Sequence, residues 1–213
     1  MSSEQGHSMR EKPQTLHWTL LVIYLLFFVW SAINPKDRLT WFLEVFPAML
    51  GLAIMVYTYK RFPLTPLLYI LIIIHCVILM IGGHYTYAEV PLFDQLKEWM
   101  GSSRNNYDKV GHFAQGFVPA IIAREIVIRH HVFNSQRWQV FFIISFCLGF
   151  SAFYELLEWW VAVASGDDAV KFLATQGYEW DTQSDMWYAL VGAMTSLLLL
   201  SRLHDKQLSG FNL

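Results

Sequence analysis

Long apolar runs separated by short polar stretches dominate the chain after its first 17 residues. A helix needs about 20 mostly apolar residues to cross a bilayer, and six runs approach that length. The pattern therefore predicts an all-α, polytopic membrane protein with six transmembrane helices in one domain. The predicted spans are 18–34, 39–59, 64–83, 109–128, 138–163 and 185–200.

The distribution of basic residues predicts the orientation, because loops rich in lysine and arginine stay in the cytoplasm. Six spans place both termini on one side, together with nine basic residues: Arg10, Lys12, Lys60, Arg61, Arg124, Arg129, Arg137, Arg202 and Lys206. The other side has six: Lys36, Arg38, Lys97, Arg104, Lys109 and Lys171. We therefore expect a cytoplasmic tail at 1–17, a transmembrane domain at 18–203 and a second cytoplasmic tail at 204–213.

Two longer connections, 84–108 and 164–184, then lie on the periplasmic side. Apolar residues recur at helical spacing in the first one, with charges between them, which predicts a short helix lying in the membrane interface. The second contains Asp167 and Asp168, interpreted as a solvated turn. Tryptophans gather at this face, as in an aromatic belt: Trp41, Trp99, Trp159, Trp160, Trp180 and Trp187.

Composition agrees with a membrane location. The chain is 55% hydrophobic and only 15% charged, whereas soluble domains carry about 25% charged residues. A net charge of −2 without a basic cluster argues against nucleic acid as a partner, so the expected partner is the lipid bilayer. Cys76 and Cys147 both lie in apolar runs and read as small core residues.

Ionisable side chains recur at one depth near the periplasmic ends of several spans. His112 follows Asp108 by one helical turn, and Glu155 precedes Glu158 on one face of another span. At about 1.5 Å per residue, His112 lies about 5 Å inside its span and Glu155 about 12 Å inside its own. Asp181 and Asp185 flank the start of the last span. Glu44, His84 and Tyr85 occupy the same level of other spans.

An ionisable group inside a span costs about 2.5–3.5 kcal/mol on insertion scales, so these groups should be paired, hydrated, protonated or bound to a cation. Imidazole with carboxylates suits a divalent metal ion. The candidate metal ligands are Asp108, His112, Glu155, Glu158, Asp181 and Asp185. His112, Glu155 and Glu158 are also the candidates for acid–base catalysis.

Structural roles compete with this interpretation. Asp108 and Asp185 are placed to cap helix N-termini, and a salt bridge from Lys109 or His112 to Glu158 would serve only to hold helices together. Arg124 and Glu125, near the cytoplasmic side, are expected to extend towards the interface or pair with a neighbour. The alternatives for function are therefore a proton- or cation-coupled transporter, or a structural or partner-binding membrane protein whose polar cluster only locks the helices.

Four stretches carry a resemblance to a known family: 82–87 (Gly-Gly-His-Tyr-Thr-Tyr), 106–113 (Asn-Tyr-Asp-Lys-Val-Gly-His-Phe), 151–159 (Ser-Ala-Phe-Tyr-Glu-Leu-Leu-Glu-Trp) and 175–186. The chain resembles the YjdF-like bacterial inner-membrane proteins over nearly its whole length. Members often have an aspartate where this chain has Tyr178. The resemblance implies a multi-pass inner-membrane protein and supplies no activity.

A looser similarity links the chain to the VanZ-like membrane proteins. They too open a span with Asp-Lys-x-x-His-Phe, matched here by 108–113, and continue with a glutamate and an aspartate that match Glu155 and Asp185. The hypothesis drawn from residues and resemblance together is a periplasm-facing, membrane-embedded His/carboxylate site. It would hold a divalent metal ion and bind or act on a lipid-linked or envelope substrate, and whether it is an enzyme stays open.

Overall fold

A computed structural model describes residues 4–165 and 176–211 of the chain. In this part the regular structure is helical, which confirms the predicted all-α class. The described residues form seven helices: α1 (Glu4–Ala32), α2 (Arg38–Thr58), α3 (Pro66–Tyr85), α4 (Pro91–Met100), α5 (Tyr107–Arg129), α6 (Gln136–Ser165) and α7 (Asp181–Leu208).

Five of these helices are long and apolar enough to cross a membrane, namely α1, α2, α3, α6 and α7. The sixth predicted span corresponds to α5, whose 23 residues include Asp108, Lys109, Arg124, Glu125 and Arg129. Its composition is less apolar because most of its surface is buried against other helices and does not need to match lipid.

The helix α5 packs against α3, α6 and, most extensively, α7. Two glycines make the α5–α7 contact possible. A Cβ atom on Gly116 would lie 1.7 Å from the carbonyl oxygen of Ala189, and one on Gly192 would lie 2.1 Å from that of Phe113. Small residues let two helix backbones approach this closely in a membrane, where hydrogen bonds and van der Waals contacts drive association.

The connections define two ends of the helical bundle. At the end that carries α4, called here the α4 end, the backbone of Lys36 donates to that of His84 at 3.1 Å. At the opposite end, the start of α3 meets α5 through the hydrogen bond from Thr65 to Glu125. Asp205 near the end of α7 meets Arg124 of α5 there. At the α4 end, Lys109 of α5 donates to Asp181 of α7 at 2.7 Å, so α5 contacts its neighbours at both ends of the bundle.

Several boundaries differ from those predicted. The helix α1 begins at Glu4, well before residue 18, because hydropathy marks the apolar part of a helix and not its polar extension. The helix α7 runs from Asp181 to Leu208, beyond the predicted 185–200 at both ends. The predicted interfacial helix in 84–108 is α4, which buries no residue and exposes Trp99. The predicted Asp167-Asp168 turn lies outside the described residues.

Candidate metal centre and its cavity

Two cations and three aspartates form a compact ionic cluster at the α4 end. Lys109 Nζ lies 2.7 Å from Asp181 Oδ1, 2.7 Å from Asp185 Oδ1 and 3.5 Å from Asp108 Oδ2. Arg104 Nη2 pairs with Asp108 and lies 2.5 Å from Asp181 Oδ1. The three carboxylates are close enough to share a metal ion, but the ammonium and guanidinium groups already offset two of their three negative charges.

Arg104 lies in the connection before α5 and remains a permanent cation. Burial alone would lower its pKa, but the Asp108 and Asp181 carboxylates outweigh burial and raise its pKa above the ordinary value. The ring of Tyr178 lies 5.4 Å from the Arg104 guanidinium and 5.8 Å from Lys109 Nζ. The tyrosine thus faces these cations with an aromatic ring.

His112 lies one turn deeper and faces the carboxylates of Asp185 and Glu155. Its Nδ1 is 3.0 Å from Gln115 Oε1, which can only accept a hydrogen bond, so Nδ1 carries the proton. The unprotonated Nε2 is 3.6 Å from Asp185 Oδ1, and Glu155 Oε1 is 3.8 Å from Nδ1. One ligand atom each from His112, Glu155 and Asp185 can be chosen so that all three lie within 4.8 Å of one another.

Glu155 differs from the paired aspartates. Glu155 is only 8% exposed, and its Oε1 has no hydrogen-bond partner among the described residues. A buried carboxylate oxygen without a partner costs several kcal/mol. This oxygen lies 3.8 Å from His112 Nδ1, and an oxygen of the Glu155 carboxylate lies within 4.8 Å of one of Asp185, so the position of the carboxylate suits a shared cation. Thr182 interacts with the same carboxyl group from α7.

A cavity of about 410 Å³ opens beside this group, between α2, α3, α5, α6 and α7. Its polar lining lies towards the α4 end and includes Asp108, His112, Glu158 and Asp185. The remainder of its wall is mostly apolar and reaches as far as Gly51 of α2 and Ile122 of α5. Its volume falls in the range of about 300–1,000 Å³ that small-molecule sites occupy.

Further polar residues complete the cavity wall. Glu158 lines it one turn from Glu155 but stands outside the three-ligand group. Glu44, from α2, is 6% exposed and lies within interaction range of the Tyr154 and Tyr87 hydroxyl groups. Sequence reasoning missed His75 of α3, which also lines the cavity. A histidine in the middle of the most apolar run was the signal that could have identified it.

Three structural roles that the sequence suggested, two helix caps and a salt bridge from Lys109 to Glu158, are not found in the structure. Asp108 does not cap α5, because the helix begins at Tyr107 with Asn106 before it, and Asp108 pairs with Arg104 and Lys109 instead. Asp185 does not begin α7 but follows Asp181 by one turn and binds Lys109. Lys109 therefore pairs with aspartates and not with Glu158.

His84 was expected near the candidate site and lies elsewhere. Its Nδ1 is 3.0 Å from the carbonyl oxygen of Ser31, and its ring contacts Trp30 and Tyr85. His84 therefore joins α3 to α1 on another side of the bundle, because its side chain points from α3 towards α1 and not towards α5.

A second buried cluster lies at the opposite end. Glu125 is fully buried and accepts hydrogen bonds from Thr65, from Arg129 at 2.9 Å and from His204 Nε2 at 3.0 Å. His204 Nδ1 faces Arg124 Nη1 at 2.9 Å, and arginine can only donate, so the proton of His204 lies on Nε2. This cluster ties α3, α5 and α7 together. It gives Arg124 and Glu125 the neighbours that the sequence suggested.

The long apolar helices and the buried polar cluster between them define a multi-pass membrane protein. The chain belongs to the family described as "Predicted membrane protein (DUF2238)", whose family model matches residues 16–206. It is 48% identical over 202 residues to the inner membrane protein YjdF of Escherichia coli (strain K12). That alignment covers 95% of this chain and 96% of the relative.

This relationship and the apolar helices make the chain a multi-pass inner-membrane protein. The similarity to the Escherichia coli protein confirms the predicted resemblance to YjdF-like proteins. No solved structure matches the chain significantly.

Proposed function

We propose that this protein holds a divalent cation in a membrane-embedded site formed by His112, Glu155 and Asp185. The site would open to the periplasmic end of the bundle and bind or act on a lipid-linked envelope substrate. The observation that carries the proposal is the buried Glu155 Oε1, which lacks a hydrogen-bond partner among the described residues and lies 3.8 Å from the His112 imidazole, in a carboxylate grouped with that of Asp185.

The local charge supports a cation. Four carboxylates, those of Asp108, Glu155, Asp181 and Asp185, face the two cations Arg104 and Lys109. A divalent ion would neutralise the two remaining negative charges. The hydrogen bond from His112 Nδ1 to Gln115 also suits a ligand role, because metal-binding histidines commonly donate their other N–H to an oxygen that orients the ring.

The ionic cluster and the metal centre have different roles in this proposal. Asp108 and Asp181 belong to the cluster neutralised by Arg104 and Lys109, and they hold α5 against α7. Asp185 is shared, since it contacts both Lys109 and His112. Glu158, one turn from Glu155 on the cavity wall, is the group we assign to proton transfer with a bound substrate.

Transport is less well supported by the arrangement. The ionisable residues that line the cavity lie in the half of the bundle nearer the α4 end, with His75 the deepest of them. At the opposite end, Glu125, Arg124 and His204 are engaged with one another and with neighbouring side chains. Such mutual contacts are typical of a cluster that holds helices together, and not of a binding site along an ion pathway.

Metal retention tests the proposal. We expect the purified protein to bind Zn²⁺ or Mn²⁺ at about one ion per chain, and Glu155→Gln to lower the affinity at least about tenfold. In metal-free buffer the variant should remain monodisperse with an unchanged melting temperature, because the lost carboxylate oxygen makes no hydrogen bond within the described residues. Metal analysis after dialysis and calorimetric titration provide the measurement.

The matched control is Glu158→Gln, the same substitution on the same helix, which should retain the ion. Equal metal contents in the wild-type protein and Glu155→Gln would contradict the proposed centre. Acidification should release the ion, because carboxylate and imidazole ligands bind metal only when deprotonated.

We also propose that α5 is a sixth span, so that both termini are cytoplasmic and the α4 end is periplasmic. Two facts support this: α5 meets its neighbours at both ends of the bundle, and basic residues favour the other end nine to six. At about 1.5 Å per residue its 23 residues extend about 35 Å, enough to cross the hydrocarbon core.

A topology reporter tests this orientation. A reporter active only in the periplasm should be silent when fused after Leu213. The same reporter inserted at Ser102, between α4 and α5, should be active. Activity of the C-terminal fusion would reverse the orientation and place the site at the cytoplasmic face.

A further inference from the structure

The cavity beside the metal centre extends to the side of the bundle between α2 and α6. These two helices stand apart over most of their length in the described part of the chain. The cavity residues at this gap are apolar and half exposed: Phe46 and Leu50 on α2, with Phe150 and Phe153 on α6. The cavity therefore opens towards lipid through a cleft, called here the α2–α6 cleft.

From the α4 end towards the middle of the membrane, the lining of the cleft changes from polar to apolar. His112 is about 8 Å from the α4 end of its helix and Glu44 about 9 Å from the start of its own, at about 1.5 Å per residue. Gly51 and Ile122, at the apolar end, are about 20 Å deep by the same rise, well into a hydrocarbon core about 30 Å thick. A lipid of the leaflet at the α4 end has the same order, head group first and chain below.

The geometry points to an amphiphile with a primary-ammonium head group as the ligand, its hydrocarbon chain in the α2–α6 cleft and its head group at Glu44 and Glu158. This inference rests on the proposed function in taking the metal centre as the polar end of the cavity. Glu44 and Glu158 both line the cavity, and neither forms a salt bridge within the described residues. An ammonium group would supply a hydrogen-bond donor and counter-charge to these two carboxyl groups, whereas a phosphate would add a further anion beside them.

One glycine allows the cleft to be closed without disturbing the fold. Gly51 lines the cavity, and a Cβ atom built on it has no other atom within 4 Å. Gly51→Trp should therefore fill the cleft. Gly149 on α6 also has open space around its Cβ position but does not line the cavity, so Gly149→Trp is the matched control.

The experiment uses the full-length protein in phosphatidylcholine vesicles, whose head group lacks hydrogen-bond donors. Two probes share a hexadecyl chain with a diazirine; one ends in a primary amine and the other in a phosphate monoester. We expect the amine probe to label 46–51 of α2 and 150–157 of α6, at least about tenfold more than the phosphate probe. Gly51→Trp should lower this labelling about tenfold, because it overpacks the cleft, while Gly149→Trp leaves it unchanged.

Labelling that Gly51→Trp leaves intact, or that spreads over all lipid-facing helices, would overturn the cleft as a binding site. Equal labelling by the phosphate probe would overturn the assigned head group. Metal content measured on the same samples separates the two proposals. Gly51→Trp should keep its ion and lose the probe, whereas failure of the metal centre would show as no ion retained by the wild-type protein.

Discussion

Gly116→Ala is expected to prevent stable folding of this protein. The added methyl group would lie 1.7 Å from the carbonyl oxygen of Ala189 and 2.5 Å from its carbonyl carbon. These are backbone atoms in the middle of α7, so no side-chain rotation can relieve the clash. The two helices would have to separate, and the buried ionic cluster and the metal centre both depend on their contact.

The expected loss exceeds the 1–3 kcal/mol that overpacking typically costs, because the whole α5–α7 interface moves. It is therefore a large fraction of a total stability of about 5–15 kcal/mol. Size-exclusion chromatography of a fluorescent fusion in detergent would show aggregate in place of the monodisperse peak. Gly149→Ala, a glycine with open space around it, should behave as wild type. A Gly116→Ala protein that elutes and melts like wild type would contradict the closeness of the two helices.

Glu125→Leu is expected to cause the second-largest effect, through the buried cluster at the opposite end. Leucine is of similar size but accepts no hydrogen bond. Thr65, Arg129 and His204 would all lose the carboxylate to which they donate. Removing one partner of a buried ionic cluster costs about 3–5 kcal/mol, so the melting temperature should fall by on the order of 10 °C for a domain of this size.

Asp205→Asn is the matched comparison in the same cluster. Asp205 pairs with Arg124, but its side chain is 58% exposed, and exposed ion pairs contribute about 0–1 kcal/mol. Its melting temperature should therefore change by little. Thermal stability of the two purified variants in one detergent provides the measurement. Equal melting temperatures would mean that the Glu125 cluster does not hold α3, α5 and α7 together.

Much of the fold follows directly from hydropathy. Apolar runs long enough for a bilayer predict the helices, and the five most apolar of them are found as such. The apolar spacing in 84–108 also predicts α4, because charges between the apolar residues exclude a buried helix. Hydropathy could not give the extension of α1 back to Glu4 or of α7 to Leu208, since polar residues continue a helix without marking it.

The sequence predicted which residues form the candidate site, but not how they divide between the ionic cluster and the metal centre. The position of each residue in its span predicted that six ionisable side chains lie at a similar depth in the membrane: Asp108, His112, Glu155, Glu158, Asp181 and Asp185. Which of them are neutralised by Lys109 and Arg104, and which face one another, depends on the rotation of each helix about its axis. A change of one residue in that rotation turns a side chain by about 100°, which no sequence spacing within a single helix determines.

The sequence by itself determined that this is a multi-span helical membrane protein with an acid- and histidine-rich layer near one face, because the bilayer imposes length and polarity on each segment separately. The tertiary structure alone decided that Gly116 and Gly192 bring α5 against α7. It also decided that Glu155 keeps an oxygen without a hydrogen-bond partner among the described residues, and that His75 and Glu44 line the same cavity. Those facts arise from contacts between helices far apart in the chain, which depend on how the helix surfaces pack together.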